Sequence, residues 1–435
     1  METGKLGDWE KAASSNLPIS QFPNLRTSER LSRAQCYWFA LALVAGAGVR
    51  LWVSTLDQPI DINTFWRVAT AAAHGRSSYA EFPNAYPYGP LSMFYLGPIA
   101  GLLSALGLNG IGAFHVADAL FLSLVDAAIA LTLLRPFGMA VALIFYLCPL
   151  SIVLPADRGH IDNLSILLAL GSWLLIRDTA KERSTGRVIG SAALIGLSLL
   201  NKHSMILWPA WILLWPGFGS WKKRLLFAGV AWGLFFAGLL PFWLTPSTHE
   251  GVLSILRYRG LLYDVPFRRI VELFLPSQVV QYAFPFPIFH DIMFLWLLAM
   301  VGLGAYVMRR FAGEGLLWYL IALVAFSPAA AVNYLGLAVI PCAVFWRRWP
   351  AMIYLAISSA LVICSRDYLG NQPFMFMPAY LLVMSGFFSH NCMIWLYPLL
   401  YDLGPGGRRW PEVTALFRGK PKTAGGNRES RKLGG

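Results

Sequence analysis

The chain has 435 residues, of which 57% are hydrophobic and only 13% are charged, and its formal net charge is +13. Soluble globular domains carry about 25% charged residues, so the composition excludes an ordinary soluble domain. Apolar stretches long enough to cross a bilayer recur along most of the length, which predicts an all-α, polytopic transmembrane helix bundle. The positive charge fits cytoplasmic loops better than nucleic acid, because no nucleic-acid-binding motif accompanies it.

The two ends of the chain differ from its centre. Residues 1–35 are polar and lack the compact apolar core of a cleavable signal peptide, so we expect a cytoplasmic segment followed by an uncleaved anchor. Residues 36–401 form the predicted transmembrane domain. Residues 402–435 are Gly-rich and basic, which predicts a disordered cytoplasmic tail. The five cysteines form no CxxC pair, and we interpret them as small buried residues.

The apolar stretches predict about 11–13 membrane spans. They lie near residues 36–55, 89–107, 112–134, 138–155, 162–177, 188–203, 204–217, 225–244, 291–308, 316–327, 330–346, 351–364 and 374–389. Basic clusters before the first span and around residues 177–187, 222–224, 309–310 and 347–348 predict inside loops. The loops at 157–161, 202–204, 245–290 and 365–373 then lie outside.

One conflict remains in this topology. Three spans between Asp61 and Asp157 would put these aspartates on opposite sides of the membrane. Either one apolar run between them is re-entrant or interfacial, or two runs form one broken helix. The sequence leaves both alternatives open.

Asp61 is the first candidate for chemistry. It precedes the stretch INTFWRVATAAAHG, in which apolar residues recur at helical spacing, so we expect a short helix lying in the membrane interface of the first outer loop. Asp61 is then either an N-cap of that helix or a general base at the edge of an outer cavity. A helix N-terminus favours the ionised form that a base needs.

Two further stretches carry polar or aromatic groups beside apolar runs. Tyr86 and Tyr88 in YPYGPL fit either an interfacial aromatic belt or the wall of a binding cavity. Asp157, His160 and Asp162 in ADRGHIDN are ionisable groups at a membrane edge, which are functional candidates by default. Their spacing matches no defined metal motif, so we predict no metal and no cofactor.

Basic residues supply a candidate anion site. Lys202 and His203 interrupt an apolar stretch and form either a tight turn with a snorkelling lysine or part of a binding site. Arg257 and Arg259 lie in the outer loop at 245–290. They contact either lipid headgroups or an anionic substrate, because planar guanidinium groups grip phosphate well.

Taken together, these stretches resemble the polytopic GT-C glycosyltransferases, most nearly the dolichyl-phosphate-glucose glucosyltransferases that extend lipid-linked oligosaccharides. The similarity rests on Asp61 followed in order by YPYGP at 86–90, DRGHIDN at 157–163, NKH at 201–203 and RGLLY at 259–263. It covers roughly residues 35–275. The sequence departs from the family pattern at Gly89, which shifts the second proline, and at Ile161, which replaces an aromatic residue.

The resemblance implies a hexosyltransferase that moves glucose or mannose from a polyprenyl- or dolichyl-phosphate sugar to an acceptor hydroxyl. Asp61 would be the base of an inverting displacement, and Lys202, Arg257 and Arg259 would bind the donor phosphate. The acceptor would be a glycan or a lipid-linked molecule, at a bacterial plasma membrane or alternatively the endoplasmic reticulum. The alternative function is a multi-span transporter or lipid flippase, against which the absence of internal repeats argues.

Overall fold

The computed structural model describes residues 32–83, 86, 88–177, 184–257, 286–326, 332–347 and 349–364. Every regular element in these ranges is a helix, as the composition predicts. The α-helices are α1 Arg33–Ser54, α2 Ile60–Ala73, α3 Ser78–Glu81, α4 Met93–Ala105, α5 Ile111–Phe137, α6 Met139–Leu147, α7 Pro149–Arg158, α8 Asp162–Ile176, α9 Thr185–Asn201, α10 Trp208–Leu213, α11 Trp221–Leu244, α12 His249–Arg257, α13 Phe286–Arg310, α14 Gly315–Phe326, α15 Val339–Val344 and α16 Trp349–Cys364. Short 3₁₀ helices cover Pro90–Ser92, His203–Met205, Pro216–Phe218, Ala312–Glu314 and Val332–Ala338.

Three of these helices are long and apolar enough to cross a membrane. They are α1, α5 and α11, and the pair α6–α7 forms a fourth candidate that is bent by 43°. Several shorter apolar helices complete the described part of the bundle. The prediction of apolar membrane-crossing helices is therefore supported, whereas the count of about 11–13 spans is not confirmed.

A ladder of serines aligns α8 with α9 in antiparallel fashion. Ser198 Oγ donates to the Ser165 carbonyl oxygen at 2.9 Å, and Ser191 Oγ donates to the Ser172 carbonyl oxygen at 2.9 Å. Small residues of this kind let two helix backbones approach closely and bond across the contact. The ladder brings the start of α8 and the end of α9 together at one end of the bundle. We call this the Lys202 end, because Lys202 follows α9 there.

The opposite end carries a basic cluster. Arg177 follows α8 and lies with its guanidinium carbon 5.6 Å from the centre of the Phe137 ring, at the end of α5. Helix α11 runs parallel to α9, because Gly196 packs on Leu234 and Gly238 packs on Leu200. The starts of α9 and α11 therefore share this end. Its basic residues are Arg135, Arg177, Arg187, Lys222, Lys223 and Arg224. This separation agrees with the predicted sides of the loops at 177–187 and 222–224.

Helix α4 resolves the conflict between Asp61 and Asp157. The turn before it is held at the Lys202 end by a bond from Gly89 N–H to the Asn201 carbonyl oxygen at 3.1 Å. After α4 the chain returns to that end, where His115 Nε2 donates to the Ala156 carbonyl oxygen at 2.8 Å. The run predicted as a span at 89–107 thus begins and ends at one end of the bundle, packed along α2. This placement favours the re-entrant or interfacial alternative for residues 89–107 over a helix that crosses the bundle from end to end.

Arg50 holds the bend between α6 and α7. Proline at position 155 has no N–H, so the carbonyl oxygen of Ser151 loses its helical donor, and the break at Cys148 interrupts the bonding of the preceding turn. Arg50 Nη2 donates to the carbonyl oxygens of Tyr146, at 2.8 Å, and Ser151, at 3.1 Å. The two carbonyl oxygens that lose their helical donors at the bend therefore accept hydrogen bonds inside the bundle. Buried backbone groups require such partners, because no water is available there.

The charge of Arg50 is matched by Asp126 of α5. Arg50 Nε donates to Asp126 Oδ2 at 3.2 Å, and both side chains are fully buried. Asn163 Nδ2 donates to the other carboxylate oxygen, Oδ1, at 2.6 Å. We call Arg50, Asp126 and Asn163 the Arg50 network. It fixes α1, α5, α7 and α8 together directly below the loop at residues 159–161.

Candidate functional site

Helix α2 presents Asp61 at the Lys202 end. The helix forms where the sequence predicts it, and Ile62, Phe65 and Ala69 make its buried face. Its N-cap is Pro59, and Asp61 lies in the first turn, so the interpretation of Asp61 as the N-cap is wrong. The half-buried Asp61 carboxylate is nonetheless placed where the helix dipole favours negative charge.

The YPYGPL turn packs between α2 and the end of α9. Tyr86 is fully buried and donates its hydroxyl hydrogen to Ser92 Oγ, and burial raises the pKa of this phenol above its usual range. The carbonyl oxygen of Tyr88 accepts from the Tyr79 hydroxyl at 2.7 Å. A Cβ atom at Gly89 would lie 2.0 Å from the carbonyl oxygen of Leu200, so only glycine permits this approach.

The loop between α7 and α8 has a defined conformation. Gly159 ends α7 in the left-handed region, with φ near +60°. A Cβ atom there would approach Ile62 Cδ1 to 2.5 Å and Asp118 Oδ2 to 2.9 Å. Asn201 Nδ2 donates to the carbonyl oxygen of Ile161 at 2.9 Å and so ties the loop to α9. The loop therefore lies directly beneath α2, next to α5.

Lys202, Asp162 and His160 form one buried group, which we call the Lys202 cluster. Lys202 Nζ lies 2.6 Å from Asp162 Oδ2, and His160 Nδ1 lies 2.5 Å from the same oxygen. The ammonium also lies 5.4 Å from the centre of the Tyr88 ring and 5.2 Å from that of Tyr334. These distances suit cation–π contacts, which hold a cation while leaving its donors available.

The two histidines of this region favour the neutral form. Burial lowers the pKa of His160 to about 4; the Asp162 carboxylate opposes this shift, and the charge of Lys202 adds to it. Burial, with a contribution from Lys202, also lowers the pKa of His203 to about 4. At neutral pH His160 therefore donates Nδ1–H to Asp162 and carries a lone pair on Nε2, which has no hydrogen-bond partner in the described part of the chain.

Two aromatic rings lie between helix α2, which carries Asp61, and the Lys202 cluster. Asp61 and Phe65 are four residues apart, so they share one face of α2. The Phe65 ring lies 5.5 Å from the Tyr88 ring between centroids, and Tyr88 contacts Lys202. The structure thus gathers Asp61, Tyr88, His160, Asp162 and Lys202 at one end of the bundle.

The other predicted site residues divide into two groups. Tyr86, Asp157 and His203 are placed at the same end, and Asp157 is buried in the last turn of α7. Arg257 ends α12, which packs beside α3 through Gly251 and Tyr79. Its side chain and all of Arg259 lie outside the described residues, as do residues 365–373, so the arginine part of the anion-site prediction is untested.

Sequence reasoning missed three polar residues of this region, namely Asp118, Tyr95 and Tyr334. Asp118 is fully buried in α5, and both of its carboxylate oxygens lack a hydrogen-bond partner within the described ranges. A signal for Asp118 was present, because an ionisable residue inside an apolar run is a functional candidate by default. Nothing local in the sequence marks Tyr334.

In the described ranges, no three His, Cys, Asp or Glu side chains are placed to hold a metal ion. No family model matches the chain. No curated protein and no solved structure is detectably similar to it either.

Proposed function

We propose that this protein is a membrane glycosyltransferase of GT-C type that transfers a hexose from a polyprenyl- or dolichyl-phosphate sugar to an acceptor hydroxyl. Its shorter apolar helices complete a polytopic bundle of about 11–13 spans, and the Lys202 end faces the outer or lumenal side. The basic cluster at the opposite end supports this orientation, since Lys and Arg accumulate on the cytoplasmic side.

The observation that carries the proposal is the Lys202 cluster beneath α2. An ammonium group is kept buried between two tyrosine rings by a single carboxylate. A buried charge is costly unless it is paired and used, and intramembrane lysines mark ligand sites by default. The remaining N–H donors of Lys202 suit a phosphate oxygen.

The proposed reaction is a direct displacement. Asp61 accepts the proton of the acceptor hydroxyl, whose oxygen attacks the anomeric carbon of the donor sugar. The bond from that carbon to the phosphate oxygen breaks, and the electron pair leaves with the polyprenyl phosphate. Lys202 stabilises the leaving phosphate, helped by Arg257 and Arg259. A single displacement inverts the anomeric configuration and needs no covalent enzyme intermediate.

The phosphate must compete with Asp162 for Lys202. Because the lysine and the carboxylate cancel each other's charge and His160 is neutral, the cluster alone has little net charge. Asp162 therefore orients the ammonium, and the arginines of the outer loop add the positive charge that a phosphate monoanion requires. If both groups bind the donor phosphate, a variant of Lys202 alone and a variant of Arg257 alone should each lower kcat/KM for the lipid-phosphate donor.

The proposal is tested by mass spectrometry of lipid-linked and surface glycans from cells that lack this gene, cells with the gene restored and cells that carry Asp61→Asn. We expect one glycan to lose a hexose in the deletion and in the Asp61→Asn strain, and to regain it on restoration. An unchanged glycan profile in the deletion strain contradicts the proposal.

The transporter alternative draws on the buried charges of the Arg50 network, because ionisable groups within helices mark permeation paths in pumps. In this network, however, Arg50 has four acceptors and both oxygens of Asp126 are bonded. Such saturation leaves neither Arg50 nor Asp126 free to take up a substrate or a proton.

A further inference from the structure

Asp118 is a buried carboxyl group without any partner among the described residues. It lies on α5 with its side chain fully buried, and neither Oδ1 nor Oδ2 has a hydrogen bond. A buried polar group that lacks a hydrogen bond costs folding free energy, and a buried unpaired charge costs more. This cost is offset where a bound ligand supplies the missing hydrogen bonds.

Other unpaired polar atoms lie around Asp118. The Tyr95 hydroxyl has no partner in the described part of the chain, and its ring stacks on Phe121, one turn along α5, with centroids 4.6 Å apart. Tyr95 is near enough to Asp118 and Asp162 to interact electrostatically with both. Asp162 Oδ1 and His160 Nε2 are also buried and unpaired within the described ranges. We call Asp118, Tyr95, His160 and Asp162 the Asp118 pocket.

The unpaired atoms of this pocket are mostly acceptors. They comprise the two carboxyl oxygens of Asp118, Asp162 Oδ1 and the Nε2 lone pair of neutral His160, beside the Tyr95 hydroxyl as a donor. An anion does not suit this set, because it would meet the Asp162 carboxylate and the oxygen lone pairs of Asp118. A ligand with several neighbouring hydroxyl groups does, since each hydroxyl donates one hydrogen bond and also accepts.

The position of the pocket matches this chemistry. It adjoins Lys202 through the shared Asp162, whose Oδ2 binds the ammonium while Oδ1 belongs to the pocket. Ile62 of α2 covers Gly159 on the other side, one residue from Asp61. A phosphate at Lys202 and a hydroxyl-rich group at the pocket therefore lie next to each other, beside the proposed base.

We infer that the Asp118 pocket binds the hydroxyl groups of the donor sugar. Asp118 recognises the sugar, whereas Lys202 contacts the phosphate. This inference rests on the proposed function. It identifies the part of the site that distinguishes a glycosylated lipid phosphate from a bare lipid phosphate.

The test measures binding of three probes to the purified full-length protein in nanodiscs. The probes are undecaprenyl phosphate, undecaprenyl-phosphate glucose and undecaprenyl-phosphate mannose. For the wild type, we expect one glycosylated lipid to bind more tightly than bare undecaprenyl phosphate. In Asp118→Asn this preference falls by about tenfold, the worth of a hydrogen bond that the amide does not replace, while binding of undecaprenyl phosphate stays unchanged.

A second measurement separates recognition from folding. Because the Asp118 carboxyl is unpaired without ligand, Asp118→Asn and Asp118→Leu leave the melting temperature of the unliganded protein unchanged or raise it. Asp57→Asn, at a half-buried carboxylate outside the pocket, serves as the matched control and keeps the preference. Loss of binding of bare and glycosylated lipids alike in Asp118→Asn, or a strong drop in melting temperature without ligand, shows a structural role and overturns the inference.

The two proposals fail differently. If the wild type binds bare and glycosylated lipids equally, or if Asp118→Asn keeps the full preference, the sugar pocket is wrong while the lipid-phosphate site stands. If the wild type binds none of the three lipids, the proposed function is wrong, and the inference falls with it.

Discussion

The Arg50 network and the Lys202 cluster both bury charge between helices, but they differ in how completely their groups are bonded. In the Arg50 network every charged atom has a partner: Arg50 has four acceptors, and both oxygens of Asp126 accept hydrogen bonds. In the Lys202 cluster and the adjoining Asp118 pocket, His160 Nε2, Asp162 Oδ1 and both oxygens of Asp118 have none in the described residues.

This difference separates two uses of buried charge. A saturated network stabilises one packing of the helices, and removing one partner leaves an uncompensated charge. A partly unsatisfied group carries an energetic cost in the unliganded state, which a ligand relieves on binding. We therefore expect variants of the Arg50 network to change stability first and variants at the Lys202 end to change binding or rate while the fold is kept.

The largest expected effect is on catalysis at Asp61. Asp61→Asn removes the proton acceptor, and general-base contributions run to about 10²–10⁴-fold, so we expect kcat/KM to fall within that range. Pro59 caps α2, and the substitution costs only a favourable helix-dipole contact, so stability changes by about 0.3–1 kcal/mol at most. Initial rates of hexose transfer and the melting temperature of the purified protein measure the two effects.

Asp57→Asn is the matched control, since Asp57 lies before α2 and its side chain accepts from the neighbouring Gln58 N–H. It keeps the wild-type rate. Transfer by Asp61→Asn within about threefold of wild type places the base elsewhere, with Asp157 and Asp162 as the next candidates.

The next effect is on folding. Arg50→Met keeps an unbranched side chain of similar length without the charge. It removes the ion-pair partner of the Asp126 carboxylate and the hydrogen-bond donor of the Tyr146 and Ser151 carbonyl oxygens. Breaking a buried pair costs about 3–5 kcal/mol, so we expect a severe loss of melting temperature or of folded protein in the membrane. Thermal unfolding followed by size-exclusion chromatography measures it.

The double variant Arg50→Met with Asp126→Leu removes both charges and is expected to recover part of the lost stability, since replacing both partners is far less costly than removing one. Full donor binding and normal melting by Arg50→Met would show that the network is not structural, and would revive its interpretation as part of a transport path.

The sequence indicates the two regions to very different degrees. His160, Asp162 and Lys202 are visible because they interrupt apolar runs close to a turn, where a charge has no local apolar explanation. The sequence also predicts α2 well, since its apolar spacing is helical over the whole element.

The partners of the Arg50 network are harder to find. Arg50 and Asp126 are 76 residues apart, and each is a single charge inside an apolar run. Their pairing depends on which helices are neighbours. The sequence alone leaves open whether the run that forms α4 crosses the membrane, so it does not show which helix ends lie on the same side. Asp118 is visible in the sequence as an ionisable residue inside an apolar run, but only the packing of the helices shows that it has no partner among the described residues.

A smaller effect is expected at the anion site. Lys202→Met removes the charged contact to phosphate, and such hydrogen bonds contribute about 1.5–3 kcal/mol, so kcat/KM for the lipid-phosphate donor falls about 10- to 150-fold. Binding of bare undecaprenyl phosphate falls by the same factor, unlike in Asp118→Asn. Arg257→Ala lowers donor use separately. Unchanged kinetics in both variants would favour contacts with lipid headgroups.

The smallest expected effect is on the pH dependence of stability. His160 has a folded pKa of about 4, below its ordinary value near 6.5, so the folded state favours the neutral ring. Its contribution is complete above pH 6.5 and is lost as pH falls from there towards 4, because the unfolded chain takes up the proton first. Between pH 7.5 and 6.0 this amounts to about 1 kcal/mol.

His160→Asn removes the titration and keeps a donor near Asp162, so its melting temperature should depend less steeply on pH over this interval than that of the wild type. His203 has the same shift, and His203→Asn tests it in parallel. A lipid phosphate bound at Lys202 brings negative charge close to His160 and favours the protonated ring, which weakens the pH dependence. The slope of melting temperature against pH, with and without undecaprenyl phosphate, therefore reports occupancy of the Lys202 cluster. A slope identical in wild type and in both histidine variants would show that neither histidine is held neutral by burial.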